Sequence, residues 1–547
     1  MPEWTIGAVL DAIAEVIPDH SMTVCGPRRS TFAESAARTN RLAHYLYRNG
    51  FGARRPSESL QRWECGQDRV ALIMYNDLYP DMVIGCLKAR VVPVNVNHHY
   101  SSREIAELLD YVGPRGIIYH RSLGARFSDV LLPNRTELLI SIDDGSGAAE
   151  LPGAVSLDDI LATSAADRPV TGSPDDLIMM CTGGTTGRPK GVLWRQSDIY
   201  VTSMVGSDHA SIEEIHQMVR VGGPPWFAVS PLMHAAGMWT AFAALLHGLT
   251  VVMYDDRDKL DAQSVWVTAE REKVGMITMV GDAYAGPLVA ELRSRSYDLS
   301  SVHSIGTGGA ATSAKYKRAL MQLLPQVTVI EGYGSSETGN MAFGHSRDGT
   351  ASETFEPRVG ATVVSADRTR FLQPGDPEIG WAARMVRIPL GYFNDAEATR
   401  CTFPEIDGQR LVIPGHRACL EKDGTIRLLG RDSLVVNTGG EKVFVEEVEE
   451  VLRTHPDVAD ALVLGRPSER WGQEVVAVVA LRSDADGGDG GDGGVAAPAL
   501  YAFCTSRLAH FKAPKAFVFV EHVQRLGNGK PNYRWAREQL AQQVGAP

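Results

Sequence analysis

Short apolar runs alternate with segments of helical period between residues 69 and 119, and this alternation narrows the fold more than any other feature. Residues 69–74, 91–96 and 116–119 read as strands, and 79–89 and 103–111 between them read as helices. Strand–helix–strand succession implies crossover units and parallel sheets. A second series is expected further on, with strands near 226–230, 249–254, 275–279, 302–306 and 327–331. The chain opens with helical spacing at Ile6, Val9, Leu10, Ile13 and Val16–Ile17. At 547 residues it is too long for one core and is expected to split into at least two domains. After Arg431 the pattern turns compact and α+β, with a helix at 445–453 and strands at 459–464 and 475–481. The expected fold class is therefore α/β: a large N-terminal domain of α/β sheets over 1–431 and a small α+β C-terminal domain over 432–547.

Within that frame one stretch carries chemistry. Leu177-Ile178-Met179-Met180 reads as a buried strand, and Cys181-Thr182-Gly183-Gly184-Thr185-Thr186-Gly187-Arg188-Pro189-Lys190-Gly191 follows it directly. Glycines let the backbone turn tightly so that amides and threonine hydroxyls converge on an anion, and Lys190 adds a mobile point charge suited to phosphate. It is not a Walker A loop, because Pro189 precedes the lysine and Gly191 follows it. Three further stretches fit a nucleotide site. Ile305-Gly306-Thr307-Gly308-Gly309-Ala310-Ala311 combines a strand end with small residues that admit a flat ligand. In Glu331-Gly332-Tyr333-Gly334-Ser335-Ser336-Glu337-Thr338-Gly339 an aromatic, hydroxyls and a carboxylate alternate with glycine at a strand end, where α/β sheets place ligands. Ser230-Pro231-Leu232-Met233-His234 sets a histidine at the mouth of an apolar helix carrying Met238, Trp239 and Phe242. Those apolar residues suit either an apolar acid pocket or plain core.

Composition excludes several classes. A net charge of -12 argues against a nucleic-acid or acidic-membrane partner. Seven scattered cysteines without a C-x-x-C pair suggest reduced thiols, not zinc or disulfides. The longest apolar stretch, 235–253, contains His247 and reads as core helix then strand, not a membrane span. No signal peptide is visible, so the expected location is the cytoplasm. The acidic glycine-rich run 483–494 reads as a solvated loop.

The phosphate stretch resembles that of the adenylate-forming superfamily of acyl- and aryl-CoA synthetases, adenylation domains and luciferases, whose usual form is T-S-G-T-T-G-x-P-K-G. Gly183 stands where that pattern has serine. The resemblance implies that Thr182, Gly183, Gly184, Thr185, Thr186, Gly187 and Lys190 grip the phosphates of ATP. It likewise assigns Gly308, Gly309, Ala310, Glu331, Gly332, Tyr333 and Gly334 to the nucleotide, with Tyr333 on adenine and Ser336 at the α-phosphate. Glu337 would hold Mg2+, with Thr185 a second metal contact, and His234 would gate the carboxylate pocket. Gly439 and Gly440 match a block lining the thiol tunnel of CoA ligases, Asp432 matches the hinge joining the two domains, and Arg431 a ribose contact. Lys530, on the turn Gly527-Asn528-Gly529, matches the lysine that bridges the attacking carboxylate and the α-phosphate, where a cation meets developing charge. One departure stands out: His416 occupies the place of an aspartate that binds both ribose hydroxyls. A neutral imidazole offers one acceptor nitrogen at most, and each hydrogen bond lost to a charged group costs about 1.5–3 kcal/mol.

The stretches 63–72, 88–97, 437–441 and 531–535 look like actinobacterial fatty-acyl and steroid side-chain CoA ligases. That likeness implies a two-step ligase: a fatty, steroid side-chain or aryl acid is adenylated with release of pyrophosphate, then passed to CoA. Two other readings stay open at this point. One is a diazotase-type relative that adenylates nitrite for transfer to an amine; the other is an inactive nucleotide-binding homologue. A homodimer is common among such proteins.

Overall fold

In the computed structural model the described residues are 2–132, 136–183, 189–257, 259–309, 312, 314–431, 435–482, 497–524 and 532–544. They form two compact units. One comprises 1–98, 109–182 and 191–430; the other comprises 99–108, 183–190 and 431–547.

Among the described residues the first unit contains sheets of nine, eight and six strands. The eight-stranded sheet runs, edge to edge, Gly391–Tyr392, Pro189–Arg195, Leu177–Gly183, Val92–Asn95, Arg69–Ile73, Gly116–His120, Leu138–Ile142 and Val155–Ser156. Its centre is parallel, with Ala71 opposite both Val94 and Ile117. The nine-stranded sheet has a parallel run of Val251–Met253, Trp226–Ala228, Met276–Met279, Ser304–Gly308 and Thr328–Ser335. It is extended on one side by the antiparallel strands Gly339–Ser346 and Glu356–Pro357. Side chains of a strand alternate between faces. Ala228, Val251 and Met253 join a core shared with Leu72, Ile178, Met180 and Trp194 of the other sheet. Their neighbours Phe227, Val252, Ile277, Ile305 and Val329 pack the opposite face with Trp266, Leu288 and Leu320. Both faces are thus covered, which is why Trp226–Ala228 and Val251–Met253 are continuously apolar.

The expected helices and strands are present with end shifts of a few residues, as in Ser102–Val112, Ser304–Gly308 and Thr328–Ser335. The stretch expected to be helix then strand is Ala235–Leu245 followed by Val251–Met253. Among the described residues no helix is long and apolar enough to cross a membrane. The helix Phe32–Arg48 begins in a reciprocal cap, Thr31 accepting from Glu34 N–H and Glu34 from Thr31 N–H. The six-stranded sheet, built from short strands between Ala361 and Arg431, was not expected.

In the second unit a five-stranded sheet is dominated by the hairpin Val458–Ser468 with Gly472–Leu481. Val463, Ala477 and Val479 face the helices Val445–Arg453 and Ala497–Thr505; Leu462, Leu464 and Val478 face Tyr533–Val544. The strands are longer than the expected 459–464 and 475–481.

Candidate active site

Open α/β sheets bind ligands beyond the carboxyl ends of their strands, and here those ends carry several of the expected site residues. Thr182 and Gly183 end the strand Leu177–Gly183, Gly308 ends Ser304–Gly308, and Gly332, Tyr333 and Gly334 end Thr328–Ser335. The segment with His234 follows Trp226–Ala228.

A tightly closed hairpin carries Tyr333 and Glu337. A Cβ at Gly334 would lie 2.1 Å from the Gly339 carbonyl oxygen, so only glycine fits there. Thr338 Oγ1 accepts from Ser335 N–H at 2.8 Å, and Ser335 Oγ accepts from Glu337 N–H at 3.3 Å. The indole of buried Trp194, on the strand after the phosphate stretch, donates to the Ser336 carbonyl at 2.7 Å. The Tyr392 hydroxyl donates to Glu337 Oε1 at 3.0 Å. Tyr392 belongs to a short strand paired with Val192, so two independent ties run from the Ser336–Glu337 turn to one sheet edge. Glu337 is 9% exposed, and a carboxylate so enclosed needs such donors.

The His416 ring meets the Tyr333 ring edge-on, with centroids 5.3 Å apart and planes at 86°. Phe355 lies against Tyr333 as well. The histidine in place of the expected aspartate is therefore beside the residue expected to face adenine. Gly308 pairs with Gly332, and a Cβ on Gly308 would stand 3.2 Å from the Gly332 carbonyl. Gly309 adopts φ +79°, and its open side faces Ala236 and Val280. That contact brings the glycine stretch to the helix that begins after His234. His234 is the N-cap residue of Ala235–Leu245 and is half-buried. Met238, Trp239 and Phe242 lie in the shared core.

Other expected residues serve the scaffold. The Glu331 carboxylate accepts from Lys317 Nζ at 2.8 Å and from Thr312 N–H at 3.2 Å, a buried ion pair. Gly439 and Gly440, at φ +59° and +87°, form the two-residue turn between Val435–Thr438 and Glu441–Phe444, a conformation that favours glycine at both places. Lys190 is half-buried on Pro189–Arg195, and Arg431 ends the strand Ile426–Arg431. Gly184, Thr185, Thr186, Gly187, Ala310, Asp432 and Lys530 lie outside the described residues. Tyr392 was not among the expected site residues, and its bond to Glu337 went unforeseen. Nor was Asn95, whose side chain joins the Cys181 backbone to the Met233 carbonyl.

Glycine-floored strand ends, an aromatic platform and an enclosed carboxylate, set on doubly covered parallel sheets, define a nucleotide-dependent α/β enzyme. The chain belongs to the AMP-binding enzyme family: that family matches residues 10–375, and its C-terminal domain matches residues 447–530. It is similar to the medium-chain acyl-CoA ligase Mig of Mycobacterium avium, 45% identical over 98% of each chain. A medium/long-chain-fatty-acid–CoA/3-oxocholest-4-en-26-oate–CoA ligase of Mycobacterium marinum is 34% identical over 96% of this chain and 94% of that one. The fold is also that of the amide bond synthetase McbA from Marinactinospora thermotolerans, with a TM-score of 0.76 at 20% identity, covering 97% and 99% of the two chains.

Proposed function

We propose that this chain is an AMP-forming acid–CoA ligase acting on fatty or steroid side-chain acids. The observation that carries the proposal is the 45% identity over nearly the whole chain to a ligase named for medium-chain acyl groups. Relatives named for acid–CoA ligation place this reading ahead of nitrite activation and of nucleotide binding without turnover.

In the first step the acid's carboxylate oxygen attacks the α-phosphorus of ATP. The new C–O–P linkage forms as the bond to pyrophosphate breaks. In the second, the CoA thiol attacks the acyl carbon, AMP leaves with the bonding pair, and the thiol proton passes to solvent. Adenylation makes a good leaving group of an otherwise poor one. Tyr333 offers its ring to adenine, with His416 closing one side. Lys190 and the amides around Gly183–Gly187 hold the phosphates, and Lys530 balances charge between carboxylate and α-phosphate. The Glu337 carboxylate, oriented by Tyr392, fits Mg2+, which takes one carboxylate together with phosphate oxygens. Bound there, the metal would neutralise phosphate charge. The domain boundary is proposed at Arg431/Asp432, with Asp432 as the hinge on which the C-terminal domain turns between the two steps.

The test is pyrophosphate release with Mg·ATP and product mass spectrometry. Medium and long fatty acids, a steroid side-chain acid, aryl acids, and nitrite with an aromatic amine are each run with and without CoA. A CoA-dependent thioester from a fatty or steroid acid is expected. Turnover of nitrite and amine without CoA, or silence throughout, would overturn the proposal.

A further inference from the structure

Two asparagines at the ends of neighbouring parallel strands reach sideways to hold loops of the other sheet. Asn95, the last residue of Val92–Asn95, is 7% exposed. Its amide nitrogen donates to the Met233 carbonyl at 2.8 Å and to the Cys181 carbonyl at 3.2 Å, and its oxygen accepts from Cys181 N–H at 2.6 Å. One side chain thus ties the strand entering the phosphate stretch to the residue just before His234. Asn76, beyond the end of Arg69–Ile73, is 1% exposed; its oxygen accepts from Leu232 N–H at 2.7 Å and its nitrogen donates to the Tyr254 carbonyl at 2.9 Å. The His234 loop is therefore pinned at two successive residues. It has little slack beyond them: His234 N–H donates to the Pro231 carbonyl at 3.2 Å, and a Cβ at Gly237 would lie 2.4 Å from that same oxygen.

We infer that Asn95 is a positioning residue for adenylation, fixing the strand end at Cys181 relative to the loop that presents His234 to the acid. The inference rests on the ligase reading above. Asparagine suits the task because its amide offers two donors and an acceptor in one plane. Aspartate, of the same shape, would keep the acceptor for Cys181 N–H but turn an anionic oxygen toward two carbonyls. The two half-reactions differ in what they ask of this tie. Adenylation needs two separate molecules in register, and small misplacements there cost large factors in rate. Thioester formation starts from an acyl-adenylate whose parts are already bonded to each other.

The experiment compares the full-length wild type with Asn95→Asp and Asn95→Ser. Single-turnover acyl-adenylate formation is measured with a fatty acid and Mg·ATP, and thioester formation separately with supplied acyl-adenylate and CoA. Melting curves check folding, and Asn95→Ser, which adds no buried charge, decides the matter where Asn95→Asp does not fold. The expected result is a loss of at least roughly 30-fold in adenylation with less than about threefold change in the second step. Parallel losses in both steps, or adenylation kept within about threefold, would overturn the inference while leaving an active wild-type ligase. A wild type silent in both steps would instead overturn the ligase reading, and the inference with it.

Discussion

Tyr392 shows how much one hydroxyl can decide. Its bond to Glu337 orients the carboxylate proposed to hold Mg2+, and a hydrogen bond to a charged group is worth about 1.5–3 kcal/mol. Tyr392→Phe should raise the KM for Mg·ATP roughly 10- to 100-fold, partly offset by excess Mg2+. Pyrophosphate release titrated with Mg2+ reads this; an unchanged KM would show that Glu337 does not depend on the tyrosine. His416 makes the opposite case, a group whose replacement should help. It stands against Tyr333, at the position where the resemblance expects a ribose-binding aspartate. His416→Asp is expected to lower the KM for ATP about tenfold or more, and a collapse of turnover would mean that the imidazole has a task of its own. Asp256 tests burial. Enclosure pushes its carboxyl up to about 7, although it accepts from Asn76 N–H at 2.7 Å. A folded-state pKa above the unfolded one adds stability that is complete below about 4 and lost as pH rises through about 7. Asp256→Asn keeps an acceptor without the charge. Its stability relative to wild type, read from denaturant unfolding curves, should therefore rise between pH 5 and pH 8, by an amount on the order of 1–3 kcal/mol; a constant difference would refute it.

At the scale of elements, what the sequence made legible was periodicity and composition; what it hid was geometry between distant segments. The strand series around residues 69–119 and 226–331 could be read because covered parallel strands are predominantly apolar. Gly465 and Pro467 look like strand breakers, yet the strand continues through them, since Gly465 sits against Val436 and the Arg466–Glu474 ion pair spans the hairpin. The six-stranded sheet escaped because strands of two to six residues carry too few positions to show alternation. At the site, glycines and the Tyr333–Glu337 stretch were legible from residue type, whereas Tyr392 and Asn95 act through partners 55 and 86 residues away. No local pattern encodes such a pairing. Gly334 joins the two levels. Its hairpin needs a missing Cβ, because the opposing atom is backbone and cannot rotate aside. Gly334→Ala should cost about 1–3 kcal/mol, lowering the first melting transition by several degrees and displacing Glu337, so activity should fall more than stability alone explains. Scanning fluorimetry beside pyrophosphate release checks both.

For the whole molecule, the arrangement of residues separates the two steps of the reaction. Tyr333, His416 and Glu337, proposed to face the nucleotide, lie in the first unit, as do Asn95 and His234. The second unit holds the Gly439–Gly440 turn and Lys530. If Lys530 serves the α-phosphate during acyl transfer to AMP, its loss should strike one half-reaction only. Lys530→Ala is expected to slow acyl-adenylate formation about 100- to 1000-fold, the range found when a single charge-stabilising donor is removed. Thioester formation from supplied acyl-adenylate and CoA should change by less than about threefold, because that step breaks the acyl carbon–oxygen bond and makes or breaks no bond to phosphorus. The same selective pattern is expected of Asn95 variants from the other unit, for a different reason: the lysine contributes charge and the asparagine contributes register. Salt separates the two. Replacing a cation should make adenylation less sensitive to ionic strength, as screening has less left to weaken, whereas Asn95→Ser should leave the salt dependence as it is in the wild type. Identical salt profiles for the wild type and Lys530→Ala would remove Lys530 from the charge-balancing role.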